Sequence, residues 1–119
     1  FKKKNIRTSL FIDPNLNDIK IAKKLDVDCI ELHTGKISNL VKSKKNFKNE
    51  LDKIKKCCLL AKKIGIEVHA GHGLDYKTTA ILNKIPEIVE FNIGHFIIGE
   101  AITHSLKKTV NKFKKILKN

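Results

Sequence analysis

The sequence predicts an α/β fold in which helices cover a parallel β-sheet, and two observations support this prediction. Short β-branched and aromatic runs alternate with segments of helical periodicity, and most positions in the runs are apolar, as in a covered parallel sheet. Three of the runs end in segments that contain histidine and glycine, at the loops where β/α folds display reactive side chains. We therefore expect the chemistry of the chain at these strand ends.

The first strand is predicted over residues 6–12, a β-branched and aromatic run. Pro14 ends this run because proline cannot donate a hydrogen bond to a strand ladder. Asn15 or Asn17 is predicted to cap the next helix, which runs to about residue 25. These elements make up the first β/α unit.

The second strand is predicted over residues 27–33 and ends before a turn at Gly35. No element is assigned between that turn and the longest helix, whose apolar residues recur at helical spacing up to residue 64. Gly65 supplies the helix stop. The recurring residues include Phe47, Leu51, Ile54, Cys58, Leu59 and Ala61.

Two further β/α units complete the pattern. The third strand is predicted over residues 66–70, and a short helix follows a glycine-rich turn over about residues 77–83. The fourth strand is predicted over residues 88–93, and two helices over residues 96–106 and 107–118 follow it.

Four β/α units are half of the eight that close a TIM barrel of about 250 residues, and a chain of 119 residues is one domain at most. An open doubly wound sheet is the rival fold. That fold usually carries a glycine-rich turn after its first strand, where this chain has Asp13 and Pro14. Because the chain begins with Phe1 and contains no methionine, we expect a piece of a longer chain, with a mature form cut upstream as the alternative.

The formal net charge of +13 is typical of proteins that bind nucleic acids or anionic membrane surfaces. The charge is almost all lysine, however, with Arg7 the only arginine and aromatic residues only 6% of the chain, whereas base readout and stacking favour arginine and aromatics. No apolar run reaches the roughly 20 residues that span a bilayer. We therefore expect neither specific nucleic-acid binding nor membrane insertion. The last helix is expected to pack against the domain, and binding to a membrane surface as a basic amphipathic helix is the alternative.

The cysteines do not form a disulfide framework, because their number is odd and Cys57 and Cys58 are adjacent in a helical pattern. The third, Cys29, has no partner at Cys-x-x-Cys spacing. The sequence therefore predicts a protein of the reducing cytoplasm whose three cysteines lie in the core. A catalytic thiol is the alternative.

The histidines near the strand ends raise a metal alternative, which the spacing does not favour. His69 and His72, with His33 and His95, lack the ligand spacing of a closed zinc site. No metal is therefore predicted. His69 is expected to pack or form a hydrogen bond near the end of its strand.

Glu31 and His33 are two residues apart on the second predicted strand, so they face the same side. In a barrel both would point into the interior near its C-terminal mouth. A carboxylate there is paired, hydrogen-bonded or functional, because its uncompensated burial is costly. A structural pair with lysine or histidine is one interpretation, and stabilisation of a cationic intermediate such as an iminium is the other.

His72 lies between two glycines, which leave the imidazole uncrowded and let the backbone approach a ligand. Because histidine titrates near neutrality, His72 is a candidate for proton transfer, against the alternative of a loop histidine without a role. Gly94 and His95 open the helix after the fourth strand, where free N–H groups favour phosphate. His95 either donates to that phosphate or packs beside the turn.

Four segments, in this order and with similar separations, closely resemble the C-terminal half of the pyridoxine 5′-phosphate synthase family. They are residues 8–14 (TSLFIDP), 30–35 (IELHTG), 70–74 (AGHGL) and 92–95 (NIGH), so the resemblance covers essentially the whole chain. It implies the C-terminal half of a TIM barrel. Members of the family condense 1-deoxy-D-xylulose 5-phosphate with 3-amino-2-oxopropyl phosphate into pyridoxine 5′-phosphate, and they release phosphate and water without a metal or organic cofactor.

The resemblance also implies roles for individual residues. By position, His72 corresponds to the proton donor and Glu31 to the carboxylate that stabilises the transition state. The positions that bind the phosphate of the aminoketone correspond to Gly73, Gly94 and His95.

The other half of the family's barrel supplies a histidine and a glutamate as proton acceptors and arginines that complete the substrate sites. His69 stands where the family pattern has asparagine, a departure that implies tolerated drift. We expect the chain alone to be inactive and to aggregate or self-associate. The resemblance implies that the complete protein is a cytoplasmic homo-oligomer acting on phosphorylated small molecules. A non-catalytic phosphate-binding half-barrel, left by a decayed gene, is the alternative function.

Overall fold

The computed structural model describes residues 6–118, except for the side chain of His95. Within this range four strands alternate with six helices, none of which is long and apolar enough to cross a membrane. In chain order the elements are β1 (Ser9–Ile12), α1 (Leu16–Lys24), β2 (Cys29–His33), α2 (Gly35–Lys42), α3 (Lys48–Lys63), β3 (Glu67–Gly71), α4 (Tyr76–Leu82), β4 (Ile88–Asn92), α5 (His95–Thr103) and α6 (Leu106–Leu117).

The strands form one parallel sheet in the order β1-β2-β3-β4. Leu10 of β1 lies beside Ile30 of β2, which in turn lies beside Val68 of β3. The predicted α/β fold with about four β/α units is confirmed. A doubly wound sheet reverses its strand order at a switch point, and the strands of residues 6–118 show no reversal, so the rival fold does not describe this sheet.

One face of the sheet carries the hydrophobic core. Ile30 and Leu32 of β2 and Val68 and Ala70 of β3 are buried there, where apolar burial supplies the main driving force for folding. The helix residues in this core are Ile19, Ala22, Ile37, Val41, Ile54, Cys57, Cys58, Ala61 and Leu82. The opposite face carries mostly polar residues, which by alternation and register are Glu31, His33, Glu67, His69, Glu90 and Asn92, together with Phe11.

The helix α2 differs from the sequence prediction, which assigns no element there. The prediction treats Gly35 as a turn, but α2 begins at this glycine, directly after Thr34. Ile37 and Val41 are four residues apart and both are buried, so α2 covers part of the core. Their helical spacing spans only eight residues, which is too short to identify a helix by periodicity alone.

Other boundaries differ by a few residues. β1 and β2 begin at Ser9 and Cys29, later than predicted. The helix predicted over residues 96–106 ends at Thr103, because Ser105 caps the next helix and its hydroxyl accepts the N–H of Lys108 at 3.1 Å.

Two predicted helix signals and one packing role are confirmed. The side chain of Asn15 accepts the N–H of Asn17 at 2.8 Å and caps α1. Gly65 follows α3 with a φ of +82°, a conformation that favours glycine. Phe113 is buried on α6, so the last helix packs against the domain.

The three cysteines are free and buried. The predicted core positions are confirmed for Cys57 and Cys58, whereas Cys29 lies on the opposite face of the sheet, in register with Glu67. Burial raises the pKa of the Cys58 thiol to about 12, and burial also raises the pKa of Cys57 above its ordinary value. Thiolates are scarce at these two positions near neutral pH, which argues against a catalytic thiol there.

Candidate active site

A cleft of about 660 Å³ opens at the carboxyl ends of the strands. Glu31, His72, Gly73 and Gly94 line this cleft, so four of the five candidate residues meet in one place. The fifth, His95, begins α5, and its side chain lies outside the described part of the chain. The other lining residues are Phe11, Lys42, Leu74, Asn92, Phe96, Gly99 and Glu100.

The carboxylate of Glu31 lies on the polar face of β2. It accepts a hydrogen bond from the side-chain amide of Asn92 at the end of β4. A Cβ atom at Gly71 would lie 2.5 Å from Oε2 of Glu31, so the carboxylate occupies space that only a glycine of β3 leaves open. Among the described side chains no lysine or histidine forms an ion pair with Glu31, whose hydrogen-bond partner is Asn92.

Gly71→Ala is expected to displace the Glu31 carboxylate, because the added methyl group overlaps it. Because the end of the Glu31 side chain can turn aside, we expect the free energy of unfolding of the complete protein, measured in urea, to fall by only about 1 kcal/mol. Combining Gly71→Ala with Glu31→Ala removes the clashing group and is expected to restore part of that loss. Equal destabilisation in both backgrounds would contradict the contact.

The turn that carries His72 is held by a buried threonine. His72 and Gly73 have φ values of +83° and +73°, and the left-handed conformation costs a non-glycine residue about 1–3 kcal/mol. The hydroxyl of Thr34 lies 2.7 Å from the carbonyl oxygens of both Gly71 and His72 and can donate to one of them at a time. The N–H of Thr34 also donates to Gly71, so this residue ties the start of α2 to the turn.

Thr34→Val keeps the shape of the side chain but removes its hydroxyl donor. We expect a loss of about 1–3 kcal/mol in the free energy of unfolding, because the carbonyl groups of Gly71 and His72 then share one donor fewer. Thr34→Ser retains the hydroxyl and is the matched control, with stability close to that of the wild type. A valine variant as stable as the serine variant would show that the hydroxyl does not hold the turn.

His33 supports the ring of His72. The two imidazole rings stack with centroids 4.3 Å apart and 27° between their planes, and Phe11 contacts His33 at 5.2 Å between centroids. The N–H of Gly35 donates to Nδ1 of His33 at 3.2 Å, so neutral His33 carries its proton on Nε2. The predicted common face of Glu31 and His33 is confirmed by the alternation along β2.

The start of α5 presents backbone N–H donors at the same cleft. Gly94 occupies the N-cap position without a side-chain hydrogen bond, and nothing lies within 4 Å of the place of a Cβ atom there. N–H groups in the first turn of a helix have no partner within the helix and attract anions. Gly73 lines the same cleft, so the arrangement is suited to a phosphate group.

His69 lies apart from these groups. Its Nε2 is 2.7 Å from Oε2 of Glu67, which confirms the expectation that His69 forms a hydrogen bond on its strand. His33 and His72 stack on each other instead. The structure thus places His69 with Glu67 and apart from the stacked pair of His33 and His72.

The sequence matches, over residues 1–119, the family described as pyridoxal phosphate biosynthesis protein PdxJ. The chain belongs to this family. Pyridoxine 5′-phosphate synthase of Pelagibacter ubique is 73% identical over 98% of this chain and 48% of its own length. Proteins of the same name from Ehrlichia ruminantium and Sulfurihydrogenibium are 44% and 43% identical over 97% and 99% of this chain, and 46% and 48% of their own lengths. The chain thus spans about half the length of these PdxJ relatives.

The sequence analysis assigned no role to three residues that support the cleft side chains of this PdxJ chain. Asn92 binds Glu31, Thr34 binds the turn at His72, and Gly71 makes room for the carboxylate. The position of Asn92, a polar amide at the end of a strand, could have indicated a role in the site. Thr34 and Gly71 gave no such indication, because their roles depend on contacts between neighbouring strands.

Proposed function

We propose that the complete protein containing this chain is a pyridoxine 5′-phosphate synthase. It condenses 1-deoxy-D-xylulose 5-phosphate with 3-amino-2-oxopropyl phosphate into pyridoxine 5′-phosphate, phosphate and water. The observation that carries the proposal is the cleft that joins Glu31, His72 and the start of α5. Membership of the PdxJ family and the names of its relatives support it.

We propose that the remainder of the protein closes this sheet into a TIM barrel. In the described sheet, β1 and β4 each leave one edge unpaired, and the face opposite the core carries polar side chains that would line a barrel interior. The chain covers 48% of a PdxJ relative, so a second set of four β/α units would supply the other strands. The resemblance to the family supports a cytoplasmic homo-oligomer and a reaction that needs no metal or organic cofactor.

The proposed substrate position follows from the phosphate. The phosphate of 3-amino-2-oxopropyl phosphate binds the backbone at Gly73 and Gly94, with His95 at the start of α5. The rest of this substrate then extends along the cleft towards Glu31 and His72, which line the same space.

Glu31 and His72 are proposed to act on the bond between the two substrates. The amine of one substrate adds to the carbonyl of the other, and loss of the resulting hydroxyl group as water leaves a positively charged iminium. His72 donates the proton that this hydroxyl takes with it. The Glu31 carboxylate, held by Asn92, stabilises the positive charge that develops.

The isolated 119-residue chain is expected to be inactive and to self-associate, because its polar sheet face and two strand edges lack the rest of a barrel. Size-exclusion chromatography and an assay for pyridoxine 5′-phosphate would compare it with the complete protein. A monomeric chain that turns over both substrates would contradict the requirement for a closed barrel.

A further inference from the structure

A second cluster of reactive side chains lies on the polar sheet face, towards the amino ends of the strands. Cys29 begins β2 and pairs in register with Glu67, which begins β3, and His69 is two residues further along the same face. One ligand atom of each residue lies within 4.8 Å of those of the other two. Cys29 is 4% exposed and His69 is 9% exposed, so two of the three groups are withdrawn from solvent.

We propose that Cys29, Glu67 and His69 bind a zinc ion at a site separate from the cleft. A thiolate, a carboxylate and an imidazole are ligands that zinc accepts, and a water molecule would take the fourth position. Zinc–ligand bonds of about 2.0–2.3 Å place the ligand atoms of a tetrahedral site roughly 3–4 Å apart. The cluster is therefore close to the required size and needs only small side-chain movements.

Glu90 is placed to orient the histidine ligand. Nε2 of His69 lies 2.7 Å from Oε2 of Glu67, whereas Nδ1 lies 3.8 Å from Oε1 of Glu90 on β4. When Nε2 binds the ion, the proton of the neutral ring resides on Nδ1, where Glu90 accepts it. Metal-binding histidines usually donate their other N–H to a carboxylate or carbonyl group in this way.

The local charges also favour a cation. Without an ion, the two carboxylates Glu67 and Glu90 face one guanidinium group, that of Arg7, whose Nη2 lies 2.7 Å from Glu67. A divalent ion together with the Cys29 thiolate brings the formal charge of these groups to zero. The Arg7 side chain also interacts with Cys29, so the ion must displace this guanidinium from two of the three ligands.

The site lies nearer the amino ends of the strands than the cleft does. Cys29 and Glu67 are the first residues of β2 and β3, whereas His69 is in register with Glu31 at the middle of these strands. Holding two neighbouring strands together is a structural role. Residues at the amino ends of strands in β/α folds commonly contribute to stability rather than to catalysis. The ion is therefore expected to fasten β2 to β3.

The test uses the complete protein after treatment with a chelator, with Co²⁺ as the spectroscopic probe and Zn²⁺ as the competitor. We expect one equivalent of Co²⁺ to produce a thiolate-to-cobalt charge-transfer band, which Zn²⁺ abolishes. Cys29→Ser is expected to remove the band, whereas Cys57→Ser, a buried thiol of α3, retains it. Glu90→Gln is expected to weaken binding by about 10–100-fold. Arg7→Gln removes a competing cation and is expected to strengthen binding.

X-ray absorption at the zinc edge of the wild-type protein provides a measurement that needs no variant. One sulfur ligand together with nitrogen and oxygen ligands is the expected result. A zinc ion with only nitrogen and oxygen ligands would overturn the proposal. A cobalt band that persists in a folded Cys29→Ser protein, or the absence of saturable binding at equimolar metal, would overturn it as well. Each of these readouts is independent of the synthase reaction.

Discussion

His72→Ala in the complete protein is expected to lower kcat by a factor of about 10²–10⁴, because a positioned acid or base contributes about that much to a rate. The phosphate of 3-amino-2-oxopropyl phosphate is proposed to bind elsewhere in the cleft, at backbone N–H groups near Gly73 and Gly94. Substrate affinity is therefore expected to change little. Steady-state kinetics, with calorimetry of 3-amino-2-oxopropyl phosphate binding, would separate the two effects.

His104→Ala is the matched control for this variant. His104 is an exposed histidine that directly follows α5 and does not line the cleft. Its Nε2 lies 3.5 Å from Oε2 of Glu100. Its removal is expected to leave kcat unchanged. If His72→Ala retains wild-type kcat, His72 is not the proton donor. If the wild-type protein binds the phosphate ligand without turnover, the non-catalytic half-barrel alternative is favoured instead.

Glu31→Gln is expected to lower kcat by a factor of about 10²–10³, since it removes the negative charge proposed to stabilise the iminium. The substitution preserves the size of the side chain and an oxygen that accepts the hydrogen bond from Asn92. The effect therefore reports the charge rather than the packing. Steady-state kinetics would measure it, and circular dichroism would confirm that the variant is folded.

Glu50→Gln provides the corresponding control for removal of a carboxylate. Glu50 is a buried residue of α3 whose carboxylate lies 3.7 Å from Nζ of Lys36 and 3.6 Å from Nζ of Lys53. We expect this variant to be less stable but to keep its kcat. If Glu31→Gln has the same kcat as the wild type, the negative charge of Glu31 does not contribute to catalysis.

Local patterns in the sequence were sufficient for most of the fold. The strands are short β-branched runs between glycine or proline punctuation, and Asn15 and Gly65 mark a helix start and a helix end by their own chemistry. The exception is α2, where a glycine at the first position suggested a turn. Burial of Ile37 and Val41 against the sheet stabilises this helix, and that tertiary contact is not visible in a window of eight residues.

The position of the candidate site could be predicted from the sequence, but the residues that hold its side chains in place could not. Parallel strands bring their carboxyl ends to one edge of a sheet, which is why Glu31 and His72, both expected near strand ends, line one cleft. The groups that hold them come from distant parts of the chain: Asn92 is 61 residues from Glu31, and Thr34 is 38 residues from His72. These contacts depend on the register between strands, which local periodicity does not specify.

The most direct test of the central claim is an assay of the purified complete protein with 1-deoxy-D-xylulose 5-phosphate and 3-amino-2-oxopropyl phosphate. The proposed synthase forms pyridoxine 5′-phosphate and releases phosphate, and it loses this activity when His72 or Glu31 is replaced. A folded complete protein that binds 3-amino-2-oxopropyl phosphate but forms no pyridoxine 5′-phosphate would contradict the proposed function.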